Sequence, residues 1–113
     1  MMSHSKSEVE ELVACFPGVQ EGEEGGTRYF LLPKLELPEG CTPRRCDALL
    51  CPTNAHGYPS RLFFAEHISS PTSRNWNASN VRILERNWFA ISWRIREGLR
   101  LAQMVRAHLE AFR

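Results

Sequence analysis

Cys41, Cys46, Cys51 and His56 recur every five residues, and thiolates with an imidazole are the ligands zinc prefers. Zinc ligands, however, arrive as cysteine pairs only a few residues apart on tight turns, which carry both sulfurs to one ion. A separation of five spans a short strand instead, and its odd parity turns Cys46 and Cys51 to opposite faces. We therefore expect no metal ligands and no cofactor, and read the thiols as small buried hydrophobes. Cys15, late in an expected helix, reads the same way.

His56 and His67 flank the Tyr58-Pro59 segment, and an imidazole at its ordinary pKa is a competent general base. Neither has a partner visible in the sequence, which favours a structural or surface role. Of the three tryptophans, Trp88 and Trp93 precede the C-terminal helix and are expected as core anchors whose indole N–H finds an acceptor. Trp76 lies in a polar stretch, residues 69–80, and is the one expected to face a partner. No nucleotide-binding glycine loop, zinc-protease helix or nucleophile-elbow pattern is present.

The charge balance narrows the partners. A formal charge of +1 over 113 residues makes no bulk electrostatic case for nucleic acid. Residues 8–24 carry six Glu and no Lys or Arg, whereas residues 82–113 carry seven Arg and three Glu. An acidic beginning and a basic end suit a protein surface rather than a polyanion. No run approaches the roughly 18 apolar residues of a membrane span, and the opening residues lack an export signal's apolar core. A cytoplasmic location with reduced thiols and one domain over residues 1–113 are expected.

These residues must be positioned by a helix, a run of strands and a second helix. Ser7 and Glu10 have capping-box spacing, and Val9, Leu12, Val13 and Phe16 follow at helical intervals. A helix is expected over 8–15, ended by Pro17. Gly18–Gln20 can start a strand, and Glu21–Gly26 reads as a loop, because adjacent glycines and three like charges oppose ordering. Thr27–Leu32 is β-rich, a bulge at Pro33 leads into Lys34–Leu37, and Cys46–Cys51 and Leu62–His67 are the next strands. Val81–Leu84 is short and reads either as a strand or as only an extended piece. Glu97–Phe112 is the second helix, with Leu101, Met104, Val105, His108, Leu109 and Phe112 on one face. The fold class is α+β: an N-terminal helix, a four-stranded antiparallel meander, an irregular segment and a C-terminal helix.

In this order the chain resembles the ubiquitin-conjugating enzyme (UBC) fold, in particular its compact bacterial members. Tyr58-Pro59 before Leu62-Phe63-Phe64 looks like the family's Tyr-Pro loop entering its fourth strand. Val81–Leu84 followed by Trp88 looks like the segment after the active site, and Leu99–Phe112 like the helix beyond it. The resemblance covers nearly the whole chain through short motifs. It implies that the irregular segment is an active-site segment. It also implies two partners, a ubiquitin-activating-type enzyme and a ubiquitin-like protein. The setting would be a bacterial conjugation pathway, of the kind several bacteria use in antiphage defence, with no nucleic acid or membrane partner.

The departures are equally specific. Eight residues before Trp88, where the family keeps its thioester-forming cysteine, stands Asn80. Ten residues further back, the family's His-Pro-Asn triplet corresponds to Ser70-Pro71-Thr72, which lacks the asparagine credited with stabilising the oxyanion. No cysteine follows Tyr58-Pro59. Three readings remain open. The chain carries the ubiquitin-like protein as an oxyester, with Ser79 as the first nucleophile, Ser73, Ser70 and Thr72 behind it, and His67 or His56 as base. Or it is a catalytically inactive module that binds the ubiquitin-like protein or its activating enzyme, with Trp76, Tyr58 and Asn80 on the binding surface. Or the match is displaced by a few residues. In the family the activating enzyme docks on the first helix and the adjoining loop. Here that helix holds Glu8, Glu10 and Glu11, and the loop Glu21, Glu23 and Glu24, which implies a basic partner face.

Overall fold

The computed structural model describes residues 5–53 and 57–113. The elements are α1 (Lys6–Cys15), β1 (Gln20–Glu24), β2 (Thr27–Glu36), β3 (Arg45–Cys51), β4 (Arg61–Phe64), β5 (Ala78–Ile83), β6 (Arg86–Ala90) and α2 (Leu101–Leu109), which a 3₁₀ turn over Glu110–Phe112 extends. The strands form one antiparallel sheet in the order β1-β2-β3-β4-β6-β5. The α+β class holds. The sheet has six strands where four were expected, and the pairing that was not expected lies in two stretches.

The first is Glu21–Gly26. Only Gly25 and Gly26 turn the chain, both at positive φ, and Gln20–Glu24 is a strand paired with Thr27–Leu31. Its glutamates are tolerable because β1 is the outermost strand, where charge discourages further pairing. One of them, Glu21, meets Arg28 at 2.7 Å. The second stretch is residues 78–90, a hairpin in which Ile83 pairs with Arg86 around Leu84-Glu85. Leu84 and Glu85 have φ of 51° and 66°, the backbone of the two-residue turn that matches strand twist and that Asn-Gly usually supplies. Trp88, expected in a connection, is therefore the centre of a strand.

The sheet is packed on both faces. Phe30, Leu32, Ala48, Leu50, Leu62 and Phe64 join Leu12 and the buried side of α2 in one cluster. The alternate residues Leu49, Cys51 and Phe63 join Ala78, Ile83, Trp88 and Ala90 in a second, with Tyr29 and Leu31 beside it. Burial of both faces explains why β3 and β4 read as continuous apolar runs rather than alternating ones. Cys46 lies in the first cluster and Cys51 in the second, on opposite faces as their odd spacing requires. The bulge expected at Pro33 is present, between Leu32 and Leu35. There the Lys34 N–H donates to Asp47 Oδ1 at 2.8 Å, while Asp47 Oδ2 meets Arg86 at 3.2 Å.

Both helices begin elsewhere than expected. The α1 cap is Ser5, not Ser7: Ser5 has extended backbone, and its hydroxyl accepts from the Glu8 N–H at 3.2 Å. α2 begins at Leu101 rather than Glu97, because Gly98 has φ 84° and Arg100 is still extended. The six residues expected on its inner face are all buried. No helix among the described residues is long and apolar enough to cross a membrane.

Candidate functional site around the Tyr-Pro turn

The strands β4, β5 and β6 bring three connecting segments to one end of the sheet: residues 57–60, 65–77 and 91–100. Backbone bonds staple the middle one in place. Thr42 and Ser69 exchange N–H···O bonds of 2.8 Å each, and the Ser92 N–H donates to the Asn75 carbonyl at 2.7 Å. Gly40 sits so close to Pro71 that a Cβ there would stand 2.9 Å from the proline ring. The segment thus has irregular backbone with fixed attachment points.

The Tyr58 hydroxyl links all three segments. It donates to Ser92 Oγ at 3.1 Å and accepts from Asn77 Nδ2 at 3.0 Å. As a phenolate it can accept from both groups, chiefly from Ser92, which holds its pKa below the usual phenol value, with Arg61 and Arg94 adding to the effect. Arg61 is buried, and burial lowers its pKa. Its guanidinium lies over the Tyr58 ring at 4.5 Å, donates to Asn77 Oδ1, and reaches the Ile91 carbonyl at 3.3 Å. Asn77 is therefore gripped from both ends of its amide. The result is a latch joining Tyr58, Arg61, Asn77 and Ser92. Nothing in the sequence marked Arg61, Asn77 or Ser92. The available signal was an arginine opening an otherwise apolar strand, Arg61–Phe64, which must find acceptors if it is buried.

The sequence-derived nucleophiles and bases are not brought together. Ser79 is exposed on β5, not in a loop, inside a bulge where β5 spends one more residue than β6 between the Ala78–Ala90 and Val81–Trp88 pairs. Asn80, also exposed, takes the bulge's left-handed backbone, φ 55°. Ser70 turns inward on its own segment, donating to the Thr72 carbonyl at 2.6 Å, the usual task of a turn serine. Ser73 and Thr72 are exposed. His67 stacks on Trp76, with centroids 4.7 Å apart and planes within 12°, and meets Phe89 edge-on at 4.8 Å. Among the described residues no imidazole hydrogen-bonds to Ser70, Ser73 or Ser79. His56 lies outside the described residues.

Among the described residues a serine and a histidine do pair at Ser60 and His108 Nε2, 3.0 Å apart. Both are buried. Burial pushes the His108 pKa down to about 4, with Arg61 contributing in the same direction. This geometry resembles a nucleophile and its base, yet a substrate has no way to a pair enclosed by β4 and α2. Its chemical effect is to satisfy two polar groups inside the core.

Trp76 is half-buried, with Phe64 edge-on at 6.1 Å and Phe112 at 6.2 Å, so much of its ring serves the core. Trp88 and Trp93 are anchors as expected: their indole N–H groups donate to the Ile83 and Ala107 carbonyls at 3.0 and 3.1 Å. On α1, Glu11 is bonded to Arg100 at 2.9 Å, so part of the acidic helix face is already matched within the chain. The buried thiols of Cys41, Cys46 and Cys51 have pKa values raised by burial, which makes them poor nucleophiles and ligands, whereas Cys15, expected to be buried as well, is exposed. Among the described residues no three His, Cys, Asp or Glu converge as metal ligands. Comparison with family models, curated proteins and solved structures finds no match to this chain.

Proposed function

We propose that the chain is a UBC-like binding module for a ubiquitin-like protein or its activating enzyme, working by surface recognition without carrying an acyl group. The observation behind this reading is the latch of Tyr58, Arg61, Asn77 and Ser92. It fixes the Tyr-Pro turn against the polar segment. A surface held rigid before a partner arrives loses little entropy on binding. The Ser70 hydroxyl and the His67 imidazole are spent on a turn bond and a ring contact rather than on one another.

The test uses a ubiquitin-like protein and an activating enzyme from a bacterial conjugation system, titrated with the chain by calorimetry. Asn77→Ala removes the hinge of the latch and leaves every aromatic ring in place. It should weaken binding about tenfold, equivalent to one or two lost hydrogen bonds. Absence of binding to either partner would remove the reading.

One observation favours a second reading, an oxyester carrier. Ser79 is exposed at a bulge, a device that elsewhere re-aims a side chain beside active sites. For Ser79 to act, a base would have to come from the partner, since a serine hydroxyl is a weak nucleophile at its free pKa.

A further inference from the structure

We propose that the surface formed by Tyr58, Arg74, Trp93 and Arg94 binds an acidic peptide segment through its side-chain carboxylates. This proposal rests on charge and geometry and does not depend on the conjugation reading. The Arg74 guanidinium lies over the Trp93 ring at 4.7 Å, and its Nε donates to the Ala111 carbonyl at 2.5 Å. The Arg94 guanidinium lies over the Tyr58 ring at 5.3 Å, and one terminal nitrogen donates to the Gly57 carbonyl at 2.8 Å. The Ser92–Asn75 and Tyr58–Ser92 bonds set residues 57–58, 74–75 and 92–94 side by side. The two stacked guanidiniums therefore stand on adjoining segments at one end of the sheet. Arg94 is exposed and Arg74 half-buried.

Each guanidinium has five N–H donors in a fixed plane, and the bonds named above use only one of each. Stacking and anchoring fix that plane in advance, which is the arrangement that meets a carboxylate with two parallel bonds. Ion pairs among the described residues lie elsewhere, for example at Glu21, Glu36, Asp47, Glu11 and Glu110. Residues 1–4 and 54–56 contain no Asp or Glu that would complete the set. Two cations on two separate rings suit carboxylates spaced along an extended chain better than one phosphate. The formal charge of only +1 and the six glutamates of residues 8–24 would work against a long polyanion.

The probe is a fluorescent peptide of alternating Glu and Gly, compared at physiological salt with its Gln counterpart and with a single-stranded oligonucleotide of equal charge. The Glu peptide should bind at least about tenfold tighter than the Gln peptide and tighter than the oligonucleotide. Arg94→Gln should weaken it at least about fivefold, while Arg45→Gln, at the far end of β3, should leave it unchanged. Amide shifts on titration should centre on residues 57–58, 74 and 92–94, a readout that needs no variant to fold. The proposal is overturned if the Gln peptide binds equally well, if the oligonucleotide binds as tightly, if Arg94→Gln has no effect, or if the shifts map elsewhere.

Discussion

Burial decides what the ionisable side chains at this end of the molecule do. His108 has a pKa of about 4 in the fold against the ordinary 6.5, so between these values the unfolded chain binds the extra proton. Its contribution to stability is complete above the unfolded pKa and is lost as the pH falls from about 6.5 to 4, on the order of 3 kcal/mol over that window. Urea unfolding of the wild type should show that loss, and His108→Gln, which keeps a partner for Ser60, should flatten it. A slope unchanged in His108→Gln would place the titration elsewhere. Arg61 is the second case. Its charge is buried but shared among Asn77, the Ile91 carbonyl and two aromatic rings, Tyr58 and Phe63. Arg61→Met strands the acceptors and unties the Tyr58 latch. We expect a loss of about 2–4 kcal/mol in chemical unfolding, and a loss within experimental error would mean the latch is dispensable. Ser79, by contrast, is an exposed side chain on an outer strand, and Ser79→Ala should cost no more than about 0.5 kcal/mol.

At the scale of elements, the β5–β6 hairpin is where strain is stored. A left-handed backbone at a residue with a side chain costs about 1–2 kcal/mol, and the turn uses two such residues. Contacts with β1 offset this: the Leu84 N–H donates to Glu24 Oε1 at 2.8 Å, and the Leu84 side chain fills the space over Gly22. Glu85→Gly keeps both contacts and relieves one strained residue, so it should raise stability by about 1 kcal/mol, read as a shift in the urea midpoint. Gly40→Ala should do the reverse, lowering stability by about 1–3 kcal/mol, because φ is 93° and Pro71 leaves a Cβ only 2.9 Å. The same physics explains what was legible. α2 shows a clear apolar stripe, and β3 and β4 are apolar on both faces, so pattern alone located them. β1 was hidden by its glutamates, which belong on a sheet edge. The hairpin was hidden because Leu84-Glu85 carries no turn residues; its conformation is imposed by packing against β1, and a local reading cannot see that.

Across the whole molecule, the sheet has helices on one face and aromatic packing around Trp88 on the other, with a radius of gyration of 13.0 Å, about that of a domain this long. Cysteine placement on both faces followed from strand parity. The candidate site was only partly legible: Tyr58 could be named, but its partners Arg61, Asn77 and Ser92 are far apart in sequence and meet through strand order alone. Polarity is divided, with glutamates on α1 and β1 and stacked arginines around Trp93 and Tyr58. On the reading proposed above, such a surface would recognise protein partners through fixed groups. Mass spectrometry of the intact chain, after incubation with an activating enzyme, ATP and a ubiquitin-like protein, tests the central claim most directly. The account predicts unmodified mass together with a non-covalent complex. An adduct that survives thiol reductant, is cleaved by mild base and disappears in Ser79→Ala would contradict it.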